Sequence, residues 1–394
     1  MVPAAEWVVL YLLPSPRFRR RASLLLLCGG LSESTVGCQK HLDVSPKAEH
    51  GALVHASAVS LRTGSASDDG QWTMPGKDYE NTRFSALEQI ATSNAKQLRL
   101  VWSRSTGVKR GHEAAPLAVG DTLFVVTPYP NHLQAFDLKA PGSAPKWEYT
   151  PPTIPAAQGV ACCDVVNRGA AYDHGRIYFN TLDAQTVAVD AASGQEVWRV
   201  KVGDINRGET ITMAPLVVGH HVLVGNSGGE LGVRGWLTAL DTDTGHLDWR
   251  AWSTGPDSDV LIGPEFKPFY ESERGADLGV TTWPVEQWKI GGGNVWGFVS
   301  YDPELDLIYY GTANPGPWNP QGRPGANKWT AGIFARHPSD GHAVWFYQWN
   351  PHDVFDHDGI NENVLFDMTI GGQLRKVLAH LAEHGRWVAT SAVA

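Results

Sequence analysis

The stretch Ala188-Val189-Asp190-Ala191-Ala192-Ser193-Gly194-Gln195-Glu196-Val197-Trp198 reads as the end of one strand, a turn at Gly194 and a second strand closed by a large aromatic. The same order returns at Ala239-Leu240-Asp241, through Gly245, to Trp249. Looser copies run from Ala135-Phe136-Asp137 to Trp147 and from Ala335, through Gly341, to Trp345. Trp102, after Asn94 and Leu98, reads as an earlier, partial copy. Successive tryptophans lie 45, 51, 51 and 96 residues apart, the last close to two periods. Each copy follows a short β-branched or aromatic run: Thr122–Val126, Arg176–Phe179, His221–Val224 and Leu307–Tyr310. Two strands, a glycine turn and a Trp-ended strand recurring near 50 residues predict a blade of antiparallel sheet. One blade cannot bury both faces, so blades must pack on one another. The tryptophan is expected to cap that interface, its ring covering apolar surface and its N–H finding a backbone acceptor.

Composition agrees. In 394 residues, 42 glycines, 25 prolines and 16 tryptophans point to many turns between short strands, an all-β chain. A net charge of −9 argues against nucleic acid or an anionic membrane as the main partner. Four cysteines, Cys28, Cys38 and the adjacent Cys162-Cys163, form no CxxC and no Cys/His spacing for zinc. No GxGxxG opens a βα unit and no GxSxG is present, which sets aside nicotinamide binding and the α/β-hydrolases. The basic run Arg17-Phe18-Arg19-Arg20-Arg21, the apolar Ala22–Cys28 and the small and polar residues after it have the order of an export signal. Residues 1–60 therefore read as signal-like segment and linker, and 61–394 as the partial propeller. The segment 250–295 interrupts the repeat and reads as a long insertion over one face.

From Trp72 to about Asp367 the chain resembles the large subunit of the PQQ-dependent methanol and ethanol dehydrogenases, in the lanthanide-type branch. The resemblance is carried by Trp72–Gly76, Asp78–Phe84, Gly111–Pro116 and Gly225–Gly235, and most specifically by Gly311–Pro320 and Pro351–Gly359. It implies a β-propeller of the quinoprotein alcohol dehydrogenase type. It also implies pyrroloquinoline quinone (PQQ) and one metal ion as cofactors, a small primary alcohol as substrate, and a periplasmic c-type cytochrome as electron acceptor. A homodimer is compatible with it.

By the same resemblance, residues can be assigned to the cofactor. Neighbouring Cα atoms lie about 3.8 Å apart, below the usual disulfide range, so spacing alone leaves either two reduced buried cysteines or a strained ring. The resemblance implies that Cys162 and Cys163 are joined and form one wall of the PQQ pocket, with Trp296 as the opposite wall. Arg168 would fork onto a PQQ carboxylate. Glu113, Thr212, Ser227, Gly228 and Gly229 also fall at pocket positions, the glycines letting backbone N–H groups approach. Asn294 stands where the methanol enzymes commonly have threonine. Glu230 and Asn314, with Asp356 nearby, would hold the metal, and hard oxygen ligands suit calcium or a trivalent cation. Asp358 stands where calcium enzymes usually carry a small uncharged residue and the lanthanide branch an aspartate. Residues two apart in extended chain point the same way, so Asp356 and Asp358 can face one ion, and the added charge favours a lanthanide over calcium. Asp356 also matches the base that takes the alcohol proton as hydride passes to the quinone. His352 and His357 read as loop residues.

About five blade-like repeats are legible, whereas the resembled family closes a ring of about eight. Glu383 stands where the family pattern calls for arginine, and Val388–Ala394 shows no strand-turn pattern. A truncated chain is therefore expected. Three functions follow from these observations: a quinoprotein alcohol dehydrogenase, a calcium enzyme of that family acting on another alcohol, or a propeller fragment with a binding role and no catalysis.

Overall fold

A computed structural model describes residues 68–381, together with the short strands Leu10–Leu12, Val59–Ser60 and Trp387–Ser391. The export-like run Arg17–Cys28 and Cys38 lie outside the described residues. Four successive sheets follow the repeat. The first holds Leu117–Val119, Thr122–Val126, Leu133–Asp137 and Trp147–Tyr149. The second holds Asn167–Asp173, Arg176–Asn180, Gln185–Asp190 and Glu196–Lys201, with His112–Ala115 added in parallel beside the first of them. The third runs Leu216–Val218, His221–Gly225, Trp236–Asp241 and Leu247–Trp252. The fourth runs Val299–Asp302, Leu307–Thr312, Gly332–Arg336 and Ala343–Gln348. Within each blade the four main strands pair in chain order, so each is an antiparallel meander. A fifth sheet is built on the hairpin Asn363–Ile370 and Gln373–Leu381, which turns at Gly371-Gly372, both with positive φ.

Burial follows strand position. The second strand of the fourth blade, Leu307–Thr312, is buried throughout, whereas the outer strand Glu196–Lys201 buries only Trp198 fully. The apolar clusters lie between blades: Phe124, Leu133 and Ala135 of the first meet Ile177, Phe179 and Val187 of the second. Tyr178, Ala188 and Trp198 of the second share a core with Leu216, Leu223 and Trp236 of the third.

The tryptophans do cap these interfaces, in one repeated geometry. Trp147 Nε1 donates to Ala191 O at 3.2 Å, Trp198 Nε1 to Thr242 O at 2.9 Å and Trp249 Nε1 to Pro338 O at 3.0 Å. In every case the acceptor belongs to the turn of the next blade. The glycine of that turn lies beneath the ring. Gly194, Gly245 and Gly341 have φ of 74°, 72° and 74°, and a Cβ on them would stand 2.6, 2.8 and 2.6 Å from the indoles of Trp147, Trp198 and Trp249. Burying such a ring is worth roughly 2–3 kcal/mol. Trp345 is equally buried, against Phe269 and Tyr309, but its indole N–H meets no acceptor among the described residues.

Two expectations change. Trp102 is on no strand; it packs on Phe136 at 5.6 Å, and its ring does not rest on a glycine as those of Trp147, Trp198 and Trp249 do. Residues Trp387–Ser391, expected to lack strand pattern, pair antiparallel with Gln373–Leu381, as their β-branched and aromatic content allows. The insertion 253–298 carries only short helices, Asp257–Val260 and Leu278–Thr281 the α-helical ones. It is anchored by a buried ion pair, Lys328 Nζ to Glu273 Oε1 at 3.2 Å, with side chains 3% and 0% exposed. Burial raises the Glu273 pKa and lowers that of Lys328, and each charge partly restores the other. Arg234 adds a second anchor, donating to Thr254 O between the rings of Trp252 and Trp288.

The seat makes a prediction about glycine. Gly219 also has positive φ (57°), but nothing lies within 4 Å of a Cβ there. Gly219→Ala should cost only the left-handed strain, about 1 kcal/mol. Gly245→Ala should cost about 3 kcal/mol, because its methyl also drives into Trp198. Urea unfolding of the two variants measures the difference, and equal losses would sink the idea that the ring rests on the glycine.

Candidate cofactor cleft

Each blade has two kinds of end. The short turns holding the glycine seats are at one; the chain entering the blade and the loop between its second and third strands are at the other. Loops of the second kind form one cleft, open to solvent. Cys162, Cys163 and Arg168 come from the entry to the second blade, and Thr210 and Thr212 from the entry to the third. Ser227, Gly228, Gly229 and Glu230 come from the inner loop of the third. Asn294 and Trp296 precede the fourth, and Asn314 lies in its inner loop.

Cys162 and Cys163 are joined by a disulfide across a Cα–Cα distance of 3.8 Å, and both are exposed, unlike buried reduced thiols. Arg168 is the electrostatic centre. Its guanidinium lies 4.7 Å from the Trp296 ring centre, Nη1 donates to Thr212 Oγ1 at 2.8 Å, and Nη2 pairs with Glu113 Oε2 at 3.0 Å. Thr212 Oγ1 meets Ser227 Oγ at 2.9 Å, extending the chain of polar groups along the cleft. Burial disfavours the charged form of Arg168, and the charges of Glu113 and Glu362 oppose that shift.

Asn294 is 1% exposed, and among the described residues neither Oδ1 nor Nδ2 has a hydrogen-bond partner. A buried unpartnered amide costs about 1–3 kcal/mol. Its backbone is held, Ala313 N donating to Asn294 O at 2.9 Å, so the amide stays in the wall. Gly229 is small for the same reason: a Cβ there would lie 2.6 Å from Asn294 Oδ1. A flat indole, a disulfide, a desolvated guanidinium, two hydroxyls and an open amide suit a flat, anionic, oxygen-rich ligand, and so fit PQQ.

The two aspartates sit on a separate turn. Asp353 is 1% exposed and organises it, accepting from Asn350 Nδ2 at 2.5 Å, Phe355 N at 3.2 Å and His357 N at 2.9 Å. Asp356 follows in the left-handed region (φ 64°), on the surface of the turn and outside the residues that line the cleft. Partial desolvation raises its carboxyl pKa, the Asp353 charge adds to the rise, and His357 opposes it. Asp358 reaches the cleft wall directly, Oδ1 accepting from Asn314 N at 2.5 Å. His357 contacts Asn350 and His352 contacts Gly325 O, as loop residues. Among the described residues no group of three His, Cys, Asp or Glu side chains is gathered as for a metal; Glu230 and Asn314 share the cleft, with Asp358 behind Asn314. Glu113 touches the cleft only through Arg168. Ala161, Asp164, Val166, Thr210 and Ala313 also line it and were not foreseen. For Thr210 the only signal is its bridge to Ser227, a long-range pairing absent from local pattern.

Residues 72–387 match the family described as glucose/ethanol/alcohol dehydrogenase, beta-propeller domain, named for PQQ. The lanthanide-dependent methanol dehydrogenase of Methylacidiphilum fumariolicum (strain SolV) is 52% identical over 319 residues, 81% of this chain and 52% of that one. Methanol dehydrogenase [cytochrome c] subunit 1 of Methylorubrum extorquens is 45% identical over 363 residues, 89% of this chain and 57% of that one. Among solved structures, a europium-containing methanol dehydrogenase superposes with a TM-score of 0.79 at 52% identity, over 81% of this chain and 56% of that one. A quinohemoprotein alcohol dehydrogenase from Comamonas testosteroni gives 0.71 at 33%, over 84% and 50%. The chain thus spans about half the length of the curated relatives it matches.

The open amide predicts opposite effects on stability and binding. Asn294→Ala should leave the melting temperature of the ligand-free chain unchanged or raised, since it removes a buried unpartnered group. It should weaken PQQ binding about tenfold, the loss of one hydrogen bond. Thermal melts and an absorbance titration read the two; a destabilised variant with unaltered PQQ affinity would show that the amide serves the fold.

Proposed function

Because this chain belongs to the PQQ-binding glucose/ethanol/alcohol dehydrogenase β-propeller family, we propose that it carries the cofactor half of a metal-assisted oxidation of small primary alcohols to aldehydes. The observation that supports this most is the one cleft that Arg168, Thr212, Ser227 and the unpartnered Asn294 line together with Trp296 and the Cys162–Cys163 disulfide.

When bound, PQQ supplies the hydride acceptor and a metal ion a Lewis acid. The chain's own residues do the positioning. Arg168 forks onto carboxylate oxygens with Thr212 and Ser227 beside it, and Glu113 orients the guanidinium from behind. Trp296 and the disulfide restrict the ligand to a flat slot, and Gly228 and Gly229 let backbone approach it. Glu230, Asn314, Asp356 and Asp358 form the proposed metal set, all oxygen donors suited to a hard cation. The lanthanide assignment rests on Asp358, whose carboxylate adds negative charge beside Asn314. Asp356 accepts the alcohol proton, the role that the family resemblance implies. We further propose a c-type cytochrome as acceptor, in line with the name of the Methylorubrum relative, and export to the periplasm, supported by the basic and apolar order of residues 17–28.

The test is PQQ binding to the purified chain with lanthanum or calcium, read by quinone absorbance, followed by methanol- and ethanol-dependent dye reduction. Lanthanum should support binding and turnover, and Asp358→Ala should weaken the lanthanum complex at least about tenfold while changing the calcium complex less. No PQQ binding with either ion would overturn the cofactor reading.

A further inference from the structure

Arg323 is 2% exposed and sits in neither wall of the cleft. Among the described residues, every hydrogen bond of its guanidinium goes to a loop. Nε donates to Pro317 O at 2.7 Å and Nη2 to Trp318 O at 3.4 Å, both just after Asn314. Nη2 also donates to Asp353 O at 2.7 Å, just before Asp356. Nη1 donates to Asn327 Oδ1 at 2.9 Å, and Asn327 Nδ2 returns a bond to Arg323 O at 2.9 Å. Asn327 is itself tied to the insertion, its N–H donating to Thr282 O at 3.3 Å. One buried cation thus ties its own loop to the turn at Asp353, thirty residues on, and Asn327 ties the same loop to the insertion.

We infer that Arg323 is a positioning residue that sets the Asn314 loop against the Asp356–Asp358 turn, so that both halves of the proposed metal site arrive in register. This rests on the functional reading above and deepens it. Arg323 joins the two loops from one side, to Pro317 O and Asp353 O, and Asp358 Oδ1 joins them at the site, to Asn314 N. His352 adds contacts to Ala326 O and Gly325 O, and Gly359 N donates to Thr312 O, but among the described residues Arg323 is the one side chain that bonds both the segment just after Asn314 and the carbonyl of Asp353. The Asp353 carboxylate fixes the turn internally through the N–H groups of Phe355 and His357. Arg323 holds the Asp353 carbonyl, so the turn moves as a unit with whatever holds that oxygen. A guanidinium suits the task because its planar fork reaches several carbonyls at fixed angles. A lysine keeps the charge but is a point donor on a flexible stem.

Arg336 is the control. It is fully buried, donating to Tyr310 Oη, Val260 O and Gly341 O, and it touches neither loop. Arg323→Lys and Arg336→Lys should both lower the melting temperature of the full chain. Only Arg323→Lys should weaken binding of terbium(III), read by tryptophan-sensitised luminescence in the presence of PQQ, by about 10–100-fold. In hydrogen–deuterium exchange without cofactor, Arg323→Lys should speed exchange in 314–318 and 353–358 together, and Arg336→Lys in neither. Wild-type terbium affinity in Arg323→Lys, or an equal loss in Arg336→Lys, overturns the proposal. So does faster exchange in only one of the two loops. If the wild-type chain takes up no terbium, the metal reading falls, and the exchange data alone decide whether Arg323 couples the loops.

Discussion

The contact of Trp147, Trp198 and Trp249 with the glycine of the next blade's turn is the constraint on which the rest of the structure depends. A ring resting on a bare backbone, with its N–H on the adjacent carbonyl, fixes both the spacing and the rotation of neighbouring blades. Position alone would be set by any large apolar side chain; the hydrogen bond adds orientation, since Trp198 can reach Thr242 O from one direction only. The glycine must be left-handed and lack a side chain at once, and no other residue meets both demands. Because the seats lie at one end of the blades, stability is concentrated there. The loops at the opposite end can carry polar residues without weakening the interfaces.

The cleft is a consequence of that division. Loops from the second, third and fourth blades meet there because the seats hold those blades at a constant step. The polar groups that meet are partly satisfied by one another, in the chain Glu113, Arg168, Thr212, Ser227. Asn294 is left out of that chain. A cleft with every polar atom paired would resist a ligand, because binding would first break internal bonds. One with a charged group already oriented and an amide still open offers contacts at little cost of rearrangement. Arg168 combines the two properties: its bond to Thr212 holds it in place, while the Trp296 face keeps it partly out of water.

Much of this was legible in the sequence, and the limits are physical. The strands and the Trp-capped interfaces were readable because they obey local rules: a β-branched or aromatic run, a turn glycine and a terminal aromatic. What could not be read was that Gly245 lies under Trp198, since that contact joins different blades. Trp102 shares the spacing of the repeat but not its strand, so spacing alone overstated it. Trp387–Ser391 has strand-forming residues but lies outside the Trp-ended repeat, and it is placed by pairing with Gln373–Leu381. In the site, the motifs named eleven residues that do line the cleft, Asn294 among them. Thr210, Asp353 and Arg323 were missed because their roles exist only when separate loops meet. Nothing near Arg323 in the chain marks it, since the groups it binds include a carbonyl thirty positions away.

The position of Asp358 bears on what the acidic turn does. Read from spacing alone, Asp358 and Asp356 face one ion as equivalent ligands. The structure separates them: Asp358 gives one oxygen to Asn314 N, whereas Asp356 stands on the outer surface of the turn. The first therefore acts on a proposed ligand as well as adding charge, and the second is the group whose proton affinity is raised by its surroundings. Asp353 contributes to both arrangements, holding the turn through backbone bonds and raising Asp356 through its charge. Three aspartates within six residues are unfavourable unless each has a distinct partner, and two of them have backbone N–H donors. The remaining excess of negative charge gathers on the side of Asp356. On the proposed reading, that is where a cation of high charge gains most over one of lower charge, because it offsets both the mutual repulsion of the turn and the partial desolvation of its outermost carboxylate.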